Sequence, residues 1–256
     1  MVDAGPAEPA ELARRAGALA RRAAAHIVVD DVESPALCEA DSHHLRAVLR
    51  LRTGESVSVT DGRGGWRSCV WVAGEGAIEV AGEVVRVSRA APAVCVAFAP
   101  VKGDRNEWAV QKLTELGVDR IVLLRTDRAV VRWDEGRSAS HLGRLRKVAR
   151  QAVMQSRRLW MPAVDGAVDV ESLLVQDGGD GAALADPSGT AGFAGVRTVL
   201  VGPEGGWSER ELSLSKDRLI RLGDGVLRTE TAAVAAGVLL AALRGGVVAP
   251  AGEEST

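Results

Sequence analysis

The chain has 256 residues, of which 46% are hydrophobic and 26% charged, so it has the composition of a globular protein with room for one large domain or two small ones. No apolar run approaches the roughly 20 residues that a membrane-spanning helix needs, and the N-terminal segment lacks the apolar core of a secretion signal. We therefore predict a cytoplasmic protein without a membrane segment. The net charge of −2 by itself argues against a general nucleic-acid binder.

The charge is distributed unevenly along the chain. Residues 101–160 contain 14 Lys and Arg against 7 Asp and Glu, which gives this stretch a charge of +7. A basic stripe on a neutral protein fits a localised phosphate-contacting surface. It also fits a solvated helix face that only keeps the protein soluble, and on charge alone this second interpretation is favoured.

Three cysteines, Cys38, Cys69 and Cys95, are isolated in the sequence. They have neither metal-ligand spacing nor the even number of a disulfide framework. We predict that all three are small buried hydrophobic side chains and that the protein has no metal site.

The first 90 residues predict a small β-rich domain that follows a tail. Residues 1–24, rich in Ala, Arg, Glu and Pro, are predicted to be a flexible tail. Within 25–90, alternating runs separated by turn residues predict strands joined by hairpins at residues 57–60, 66–72 and 77–88, with a break near Gly82. Short strands of this kind predict a small barrel. The sequence Ala-Ala-Pro at 90–92 predicts the domain boundary.

From Pro92 onward the chain alternates strands and helices, which predicts a mostly parallel sheet covered by helices. This second domain is predicted to span 91–246, followed by a C-terminal tail at 247–256. Strands are predicted at residues 94–99, 118–124, 182–185, 198–201 and 219–222. Helices are predicted from Asp104 to Gly117, at 138–158, after Ser208, and at 229–243. The last helix is almost entirely apolar and is expected to be buried in a core or a subunit interface.

Three of these helices begin with capping signals. Asp104 is followed three residues later by Glu107, and Ser208 by Glu211, so each pair predicts a capping box. Thr229 is predicted to cap the last helix, with Glu230 in its first turn, where a carboxylate favours the helix dipole.

Two segments bring glycine loops to the ends of predicted strands. Residues 199–207 read Val-Leu-Val-Gly-Pro-Glu-Gly-Gly-Trp, and residues 222–231 read Leu-Gly-Asp-Gly-Val-Leu-Arg-Thr-Glu-Thr. Ligands bind at such strand ends, and glycines let a backbone approach a ligand closely. Each segment alone fits a tight turn and a capped helix equally well. The first segment contains neither the dinucleotide fingerprint nor the phosphate-binding loop.

Together these two loops resemble those of the bacterial 16S ribosomal RNA uridine-N3 methyltransferases, the small subunit methyltransferase E type of the SPOUT superfamily. The resemblance extends over about residues 27–245. It includes the motifs at 43–50, at Asp61-Gly62, and at 102–107, 111–117 and 155–157.

The resemblance implies a fold and a reaction. The expected fold class is α/β, with an N-terminal PUA-like RNA-binding β-barrel and a C-terminal SPOUT domain tied in a deep trefoil knot. The expected activity is methylation of N3 of a uridine in 16S ribosomal RNA, with S-adenosyl-L-methionine as cofactor and no metal. The expected partners are this RNA or the assembled small subunit, and a second copy of the chain in a homodimer.

The resemblance also assigns roles to residues. Arg228 is the candidate for stabilising negative charge on the uracil, with Glu204 and Glu230 as positioning groups. The residues expected to bind the cofactor are Leu184, Asp186, Val201, Gly202, Pro203, Glu204, Gly205, Gly206, Leu222, Gly223, Val226, Leu227, Thr229, Thr231 and Ala232. The residues expected to contact RNA are His44, Arg46, Arg50, Lys102, Arg105, Arg146, Arg150, Gln155, Arg157 and Arg158. Arg146, Arg150 and Arg157 can share one helix face, whereas a surface pair such as His43 and His44 is more often without function.

The chain departs from the family pattern on the long helix, where residues 151–156 read Gln-Ala-Val-Met-Gln-Ser and lack both glutamates of the family run. An aromatic pair near the family N-terminus is replaced by Ala-His-Ile-Val at 25–28. Two other functions stay open: a SPOUT enzyme that acts on another base or on a ribose, and a non-catalytic RNA-binding dimer.

Overall fold

The structure, a computed structural model, describes residues 22–129, 131, 135–176, 181–215 and 218–249. Most of the predicted N-terminal tail and most of the C-terminal tail lie outside these residues. The described chain divides into two units. The first comprises the residues up to Arg89 together with residues 150–161, and the second comprises residues 90–149 and the chain from Pro162 onward.

The first unit contains a five-stranded sheet. Its strands are β1 (Ala25–Val28), β2 (Ser56–Thr60), β3 (Gly65–Val72), β4 (Ala77–Val80) and β5 (Val85–Arg86). The strands from β2 to β4 form antiparallel pairs in sequence order, β5 also pairs with β3, and β1 joins the sheet parallel to β2. The predicted strands and the break near Gly82 are confirmed, whereas the parallel strand β1 was not predicted.

Two helical segments complete this unit. Helix α1 (Glu39–His43) continues directly into a π-helical turn at His44–Val48. The apolar core contains Ile27, Leu45, Val57 and Trp71, each almost fully buried, and Met154 packs against it. Residues 150–161 therefore supply part of this core, although they lie far along the chain from the strands.

The second unit is built on a six-stranded parallel sheet. Its strands are β6 (Cys95–Phe98), β7 (Arg120–Arg125), β8 (Ala163–Asp169), β9 (Ala182–Ala185), β10 (Thr198–Val201) and β11 (Leu219–Ile220). They lie in the order β11-β9-β10-β6-β7-β8, and every neighbouring pair is parallel. The expected mostly parallel sheet is confirmed.

Helices cover both faces of this sheet. They are α2 (Arg105–Leu116), α3 (Glu135–Ser156), α4 (Val170–Gln176), α5 (Glu209–Leu214) and α6 (Thr229–Arg244). Val96 and Phe98 of β6 belong to one apolar cluster, whereas Cys95 and Ala97 belong to another. Because side chains alternate along a strand, this division shows that both faces of the central strand are buried.

The predicted strands at 182–185 and 198–201 match β9 and β10 residue for residue, and the other predicted strands and helices differ only by a few residues at their ends. Strand β8 and helix α4 were missed. The β8 sequence contains two aspartates and a glycine, and the strand lies at the edge of the sheet, where alternate side chains are exposed. An edge strand of this kind lacks the continuous apolar run that marks the central strands.

The capping predictions are partly confirmed. Ser208 and Glu211 form the predicted capping box, and Gly117 ends α2 in the left-handed conformation with φ 87°. The box at Asp104 was wrong, because Asp104 has φ −88° and ψ 5° and its side chain makes no capping hydrogen bond. Thr229 as a cap was also wrong. The capping position is Arg228, and the Thr229 hydroxyl donates to a loop carbonyl instead.

Two of the three cysteines are buried as predicted. Burial raises the pKa of the Cys69 thiol to about 11, and Cys95 lies in the core of the second unit. The prediction for Cys38 was wrong, because it is exposed at the start of α1, where its Sγ lies 3.1 Å from Asp41 Oδ2. None of the described helices combines the length and the apolar character needed to span a membrane.

A buried histidine links the sheet of the first unit to residues 150–161. His26 Nε2 lies 3.1 Å from the Arg158 carbonyl oxygen, and Nδ1 lies 2.7 Å from Ser58 Oγ. Because a carbonyl can only accept, Nε2 carries the proton and Nδ1 of the neutral ring accepts from the Ser58 hydroxyl. Burial lowers the pKa of His26 from its ordinary value of 6.5 to about 4.

This histidine should make the protein sensitive to acid. A pKa lowered by folding means that the stabilisation is complete above pH 6.5 and is lost as the pH falls toward 4. A shift of this size corresponds to about 3 kcal/mol. We expect His26→Gln to reduce the pH dependence of the unfolding free energy in this window, measured by urea denaturation at a series of pH values. His43→Gln, at an exposed position of α1, is the matched control and should follow the wild type. A wild-type pH profile in His26→Gln would contradict this account.

Candidate active site

An open cavity of about 270 Å³ lies in the second unit, at the carboxyl ends of β9, β10 and β11. Three loops surround it, one after each strand, and the start of α6 closes one side. The lining residues are Ala185, Asp186, Pro187, Val201, Gly202, Pro203, Glu204, Arg221, Leu222, Gly223, Gly225, Val226, Leu227, Arg228, Thr229 and Ala232. Ligands are expected at this edge of a parallel sheet.

The structure gathers most of the predicted cofactor residues around this cavity, but four of them lie elsewhere. Leu184 is fully buried in the core, and Thr231 faces outward on α6. Gly205 and Gly206 follow the lining residues of their loop without contributing to the wall. Ala185, Pro187, Arg221 and Gly225 line the cavity although they were not predicted. Their positions at the end of strand β9 and in the loops that follow β9 and β11 could have indicated them.

The loop after β10 is held in place by Trp207. The indole Nε1 donates to the carbonyl of Ala185 at 3.0 Å, which connects this loop to the end of β9. A Cβ atom at Gly202 would lie only 3.0 Å from the Trp207 ring. The glycine therefore permits the close contact between the indole and the backbone. Ser208 then caps α5 and ends the loop.

The start of α6 is tied to the same loop. Thr229 is buried, and its hydroxyl donates to the carbonyl of Gly202 at 3.0 Å. Arg228 precedes it in an extended conformation with an exposed side chain. Within the described residues, this guanidinium has no ion pair or hydrogen bond. Arg228 is thus a cavity-lining cation whose side chain can turn toward a bound molecule.

A guanidinium joins the two candidate glutamates. Arg105 Nη1 donates to the Glu230 carboxylate, at 3.2 Å from Oε1 and 3.4 Å from Oε2. The same nitrogen lies 3.8 Å from Glu204 Oε1. The Glu230 side chain is only 9% exposed, whereas that of Glu204 is 45% exposed and lines the cavity. The sequence did not predict this bridge, because the three residues come from separate segments.

The loop after β7 is also bound to this region. Arg128 Nη1 donates to the Gly205 carbonyl, and the Glu211 carboxylate accepts the N–H of Asp127. Arg210 and Ser208 both donate to the Asp127 carboxylate, and these hydrogen bonds lower its pKa. The loops after β7 and β10 therefore form one hydrogen-bonded network.

The residues predicted to contact RNA fall in both units. His44, Arg46, Arg50, Arg150, Gln155, Arg157 and Arg158 belong to the first unit, and Lys102, Arg105 and Arg146 to the second. Arg46 and Arg50 are exposed beside α1. Arg150 is engaged within the first unit, where Nη2 donates to the Asp41 carboxylate at 2.6 Å and to the Val28 carbonyl at 2.7 Å. Hydrogen bonding to Asp41 raises the pKa of Arg150.

Among the residues that the structure describes, no group of three or more His, Cys, Asp or Glu side chains is arranged so that it could hold a metal ion.

Comparison with known proteins identifies the kind of domain that contains this cavity. A family model described as an RNA methyltransferase domain matches residues 89–241, and one described as an RNA methyltransferase PUA domain matches residues 37–80. Ribosomal RNA small subunit methyltransferase E of Mycobacterium bovis is 35% identical over 217 residues, which cover 77% of this chain and 81% of the relative. The protein of the same name from Bacillus subtilis is 28% identical, and the matched residues cover 74% of this chain and 82% of that relative.

Solved structures show the same fold. A methyltransferase of Legionella pneumophila in complex with the cofactor SAM is 26% identical with a TM-score of 0.73, covering 85% of this chain and 96% of that one. A ribosomal RNA small subunit methyltransferase E of Neisseria gonorrhoeae bound to S-adenosyl methionine is 25% identical with a TM-score of 0.71, covering 86% and 97%. Since the methyltransferase model spans more than half of the chain and a 35% identical relative matches most of both sequences, the chain belongs to the family of ribosomal RNA small subunit methyltransferases E.

Proposed function

We propose that the protein transfers a methyl group from S-adenosyl-L-methionine to N3 of a specific uridine in 16S ribosomal RNA of the small subunit. The observation that carries this proposal is the cavity at the ends of β9, β10 and β11, with the cation Arg228 in its wall. The names of the relatives support the RNA substrate, and the neighbour from Neisseria gonorrhoeae supports the cofactor.

The cavity lining suits this cofactor. Val201, Leu222 and Leu227 provide apolar side chains for a flat adenine ring, and Gly223 and Gly225 leave room beside the backbone. The exposed Glu204 carboxylate offers a negative charge to a cofactor that carries a sulfonium and an ammonium group. The described lining is therefore chemically complementary to S-adenosyl-L-methionine.

The reaction demands little covalent chemistry from the protein. When bound, the cofactor supplies an already activated methyl group, and the protein must hold the base in line and favour loss of the N3 proton. Loss of the N3 proton to water or hydroxide leaves negative charge on the uracil carbonyl oxygens, where the guanidinium of Arg228 stabilises it. N3 then bonds to the methyl group as the bond from that group to the sulfonium sulfur breaks, so that a neutral base and a thioether result. Glu204 and Glu230 act as positioning groups.

The RNA contacts in this proposal come from exposed or half-buried polar and basic side chains of both units. They are His44, Arg46, Arg50, Lys102, Arg146, Gln155, Arg157 and Arg158. We leave out Arg105 and Arg150, because both guanidinium groups are bound to carboxylates. A guanidinium that is already paired has less to gain from a phosphate.

The proposal includes the family architecture. The first unit acts as a PUA-like barrel, the second forms a deep trefoil knot, and two copies of the chain form a homodimer that meets the small subunit in the cytoplasm. The PUA match at residues 37–80 supports the first part. Exposed apolar side chains on two packed helices, Trp108 on α2 and Val238 on α6, support the dimer.

A product-mapping experiment tests the reaction. Labelled S-adenosyl-L-methionine is incubated with the protein and with 30S subunits or free 16S RNA from a strain that lacks this gene, and the modified nucleotide is mapped. We expect one N3-methyluridine. Label on another base or on a ribose would replace the proposal with a different methyltransferase. RNA binding without any label transfer would indicate a non-catalytic RNA-binding protein.

Filling the cavity should prevent cofactor binding. Gly223 lines the cavity, and a Cβ atom there meets nothing within 4 Å, so Gly223→Val should fold while it occupies ligand space. We expect at least a tenfold weaker affinity for S-adenosyl-L-methionine by calorimetry, about 1.4 kcal/mol. Gly205→Val is the matched control, because its Cβ also fits but lies outside the cavity wall. Equal affinities of the two variants would remove this cavity from the cofactor site.

Removing the cation of Arg228 should slow the chemical step. Loss of one charge-stabilising donor typically costs on the order of 100-fold in rate. We expect Arg228→Ala to lower kcat by this order at saturating RNA while the KM for RNA changes little. Arg228→Lys should restore activity only in part, since a point charge does not reproduce the planar fork of donors. Normal turnover of Arg228→Ala would leave Arg228 with a structural role.

The exposed arginines beside α1 should bind phosphates. We expect Arg46→Ala combined with Arg50→Ala to weaken RNA binding and to reduce the slope of log Kd against log salt by roughly one unit per lost contact. Arg125→Ala is the control for the loss of an exposed arginine that is already ion-paired, because this residue of the second unit pairs with Asp169. A salt slope equal to that of the wild type would show that the two arginines only solvate the surface.

A further inference from the structure

We infer that Arg105 is a positioning residue for the cofactor cavity. It does not line the cavity itself but binds Glu230 and Glu204, which belong to the segments that enclose it. This inference rests on the proposed function. The family resemblance assigned Arg105 to RNA contact, and the geometry points to a different role. Arg105 and Glu230 do not line the cavity, whereas their neighbours Glu204 and Thr229 do.

Arg105 is held in place by hydrogen bonds within its own segment of the chain. Its Nε donates to the carbonyl of Lys102 at 3.1 Å. The next residue, Asn106, is 1% exposed, and its side-chain amide pairs with the backbone of Val101, accepting the N–H at 2.9 Å and donating to the carbonyl at 2.7 Å. The turn before α2 is thus held by hydrogen bonds at Val101 and at Lys102, which limits where the Arg105 side chain can point.

Glu230 needs the cation that Arg105 provides. Its carboxylate lies in the first turn of α6 and is almost entirely buried. A buried carboxylate without a cation is costly, and removing one partner of such a pair is strongly destabilising. Within the described residues, Arg105 is the cation that pairs with Glu230. The ion pair therefore determines where the start of α6 lies against α2.

The start of α6 in turn sets the cavity wall. Thr229, the residue before Glu230, donates its hydroxyl to the carbonyl of Gly202. A shift of Glu230 would move Thr229 and, with it, the loop after β10. Arg105 also attracts Glu204 of that loop directly, at 3.8 Å. One guanidinium thus contacts both the start of α6 and the loop after β10, two of the segments that enclose the cavity.

The local charge argues against a phosphate contact at Arg105. Two carboxylates surround the one guanidinium, so the cluster carries a net charge of −1. Such a cluster repels phosphate groups. It suits a cationic cofactor instead.

The test compares cofactor binding with RNA binding in the full-length protein. We expect Arg105→Ala to raise the Kd for S-adenosyl-L-methionine at least tenfold by calorimetry, while the Kd for 16S RNA and its salt slope stay unchanged. Lys112→Ala is the matched control, because it removes one ion-paired cation from the same helix away from the cavity. Arg105→Lys should bind the cofactor with intermediate affinity, because one ammonium cannot hold both carboxylates as the guanidinium does.

A second substitution separates positioning from a general loss of structure. If the defect arises from an unpaired buried carboxylate, adding Glu230→Gln to Arg105→Ala should restore most of the cofactor affinity, which a double-mutant cycle measures as coupling. If Arg105→Ala shows no thermal unfolding transition, it is not folded, and the cofactor affinity of Arg105→Lys is then compared with that of the wild type and of Lys112→Ala.

Two outcomes would overturn the inference. The first is a wild-type affinity for the cofactor in Arg105→Ala or, if that variant does not fold, in Arg105→Lys. The second is a weakened affinity for RNA together with a flattened salt slope in the same variant. A wild-type protein that binds no S-adenosyl-L-methionine would instead contradict the proposed function, so the two failures can be told apart.

Discussion

The candidate site depends on the parallel register of three short strands. Strand β9 pairs with β10 on one side and β11 on the other, so the loops that follow them leave the sheet at the same edge. The hydrogen bond from Trp207 to Ala185 and the one from Thr229 to Gly202 then connect these loops to each other. Both faces of the sheet are buried, which leaves the loop edge as the place where backbone and polar side chains can meet a ligand.

Arginines among the described residues differ in a way that their sequence positions do not indicate. Arg105 and Arg150 pair with the buried carboxylates of Glu230 and Asp41 and thereby satisfy charges inside their units. Arg228, in contrast, stands in a cavity wall with its side chain exposed. A basic stretch of sequence therefore overstates the positive charge available to a phosphate, because part of that charge is consumed by carboxylates brought together from distant segments.

Local patterns predicted the strands, the parallel sheet and the Ser208 capping box, because each depends on neighbouring residues. The family resemblance then indicated most of the cavity wall. The sequence could not predict contacts between distant segments, such as the bridge from Arg105 to Glu230 or the hydrogen bond from His26 to Arg158. The polar edge strand β8 was missed because its sequence lacks an apolar run. The Thr229 cap was misjudged because the helix already begins at Thr229, which leaves the capping position to Arg228.

The division of the chain has a consequence for its synthesis on the ribosome. The first unit includes residues 150–161, which supply the cation for Asp41, the acceptor for His26 and the side chain of Met154 in the core. When the ribosome has translated only as far as Arg89, these partners do not yet exist. The first unit therefore cannot complete its core or pair Asp41 with Arg150 before residue 161 has been made, which is more than half of the chain.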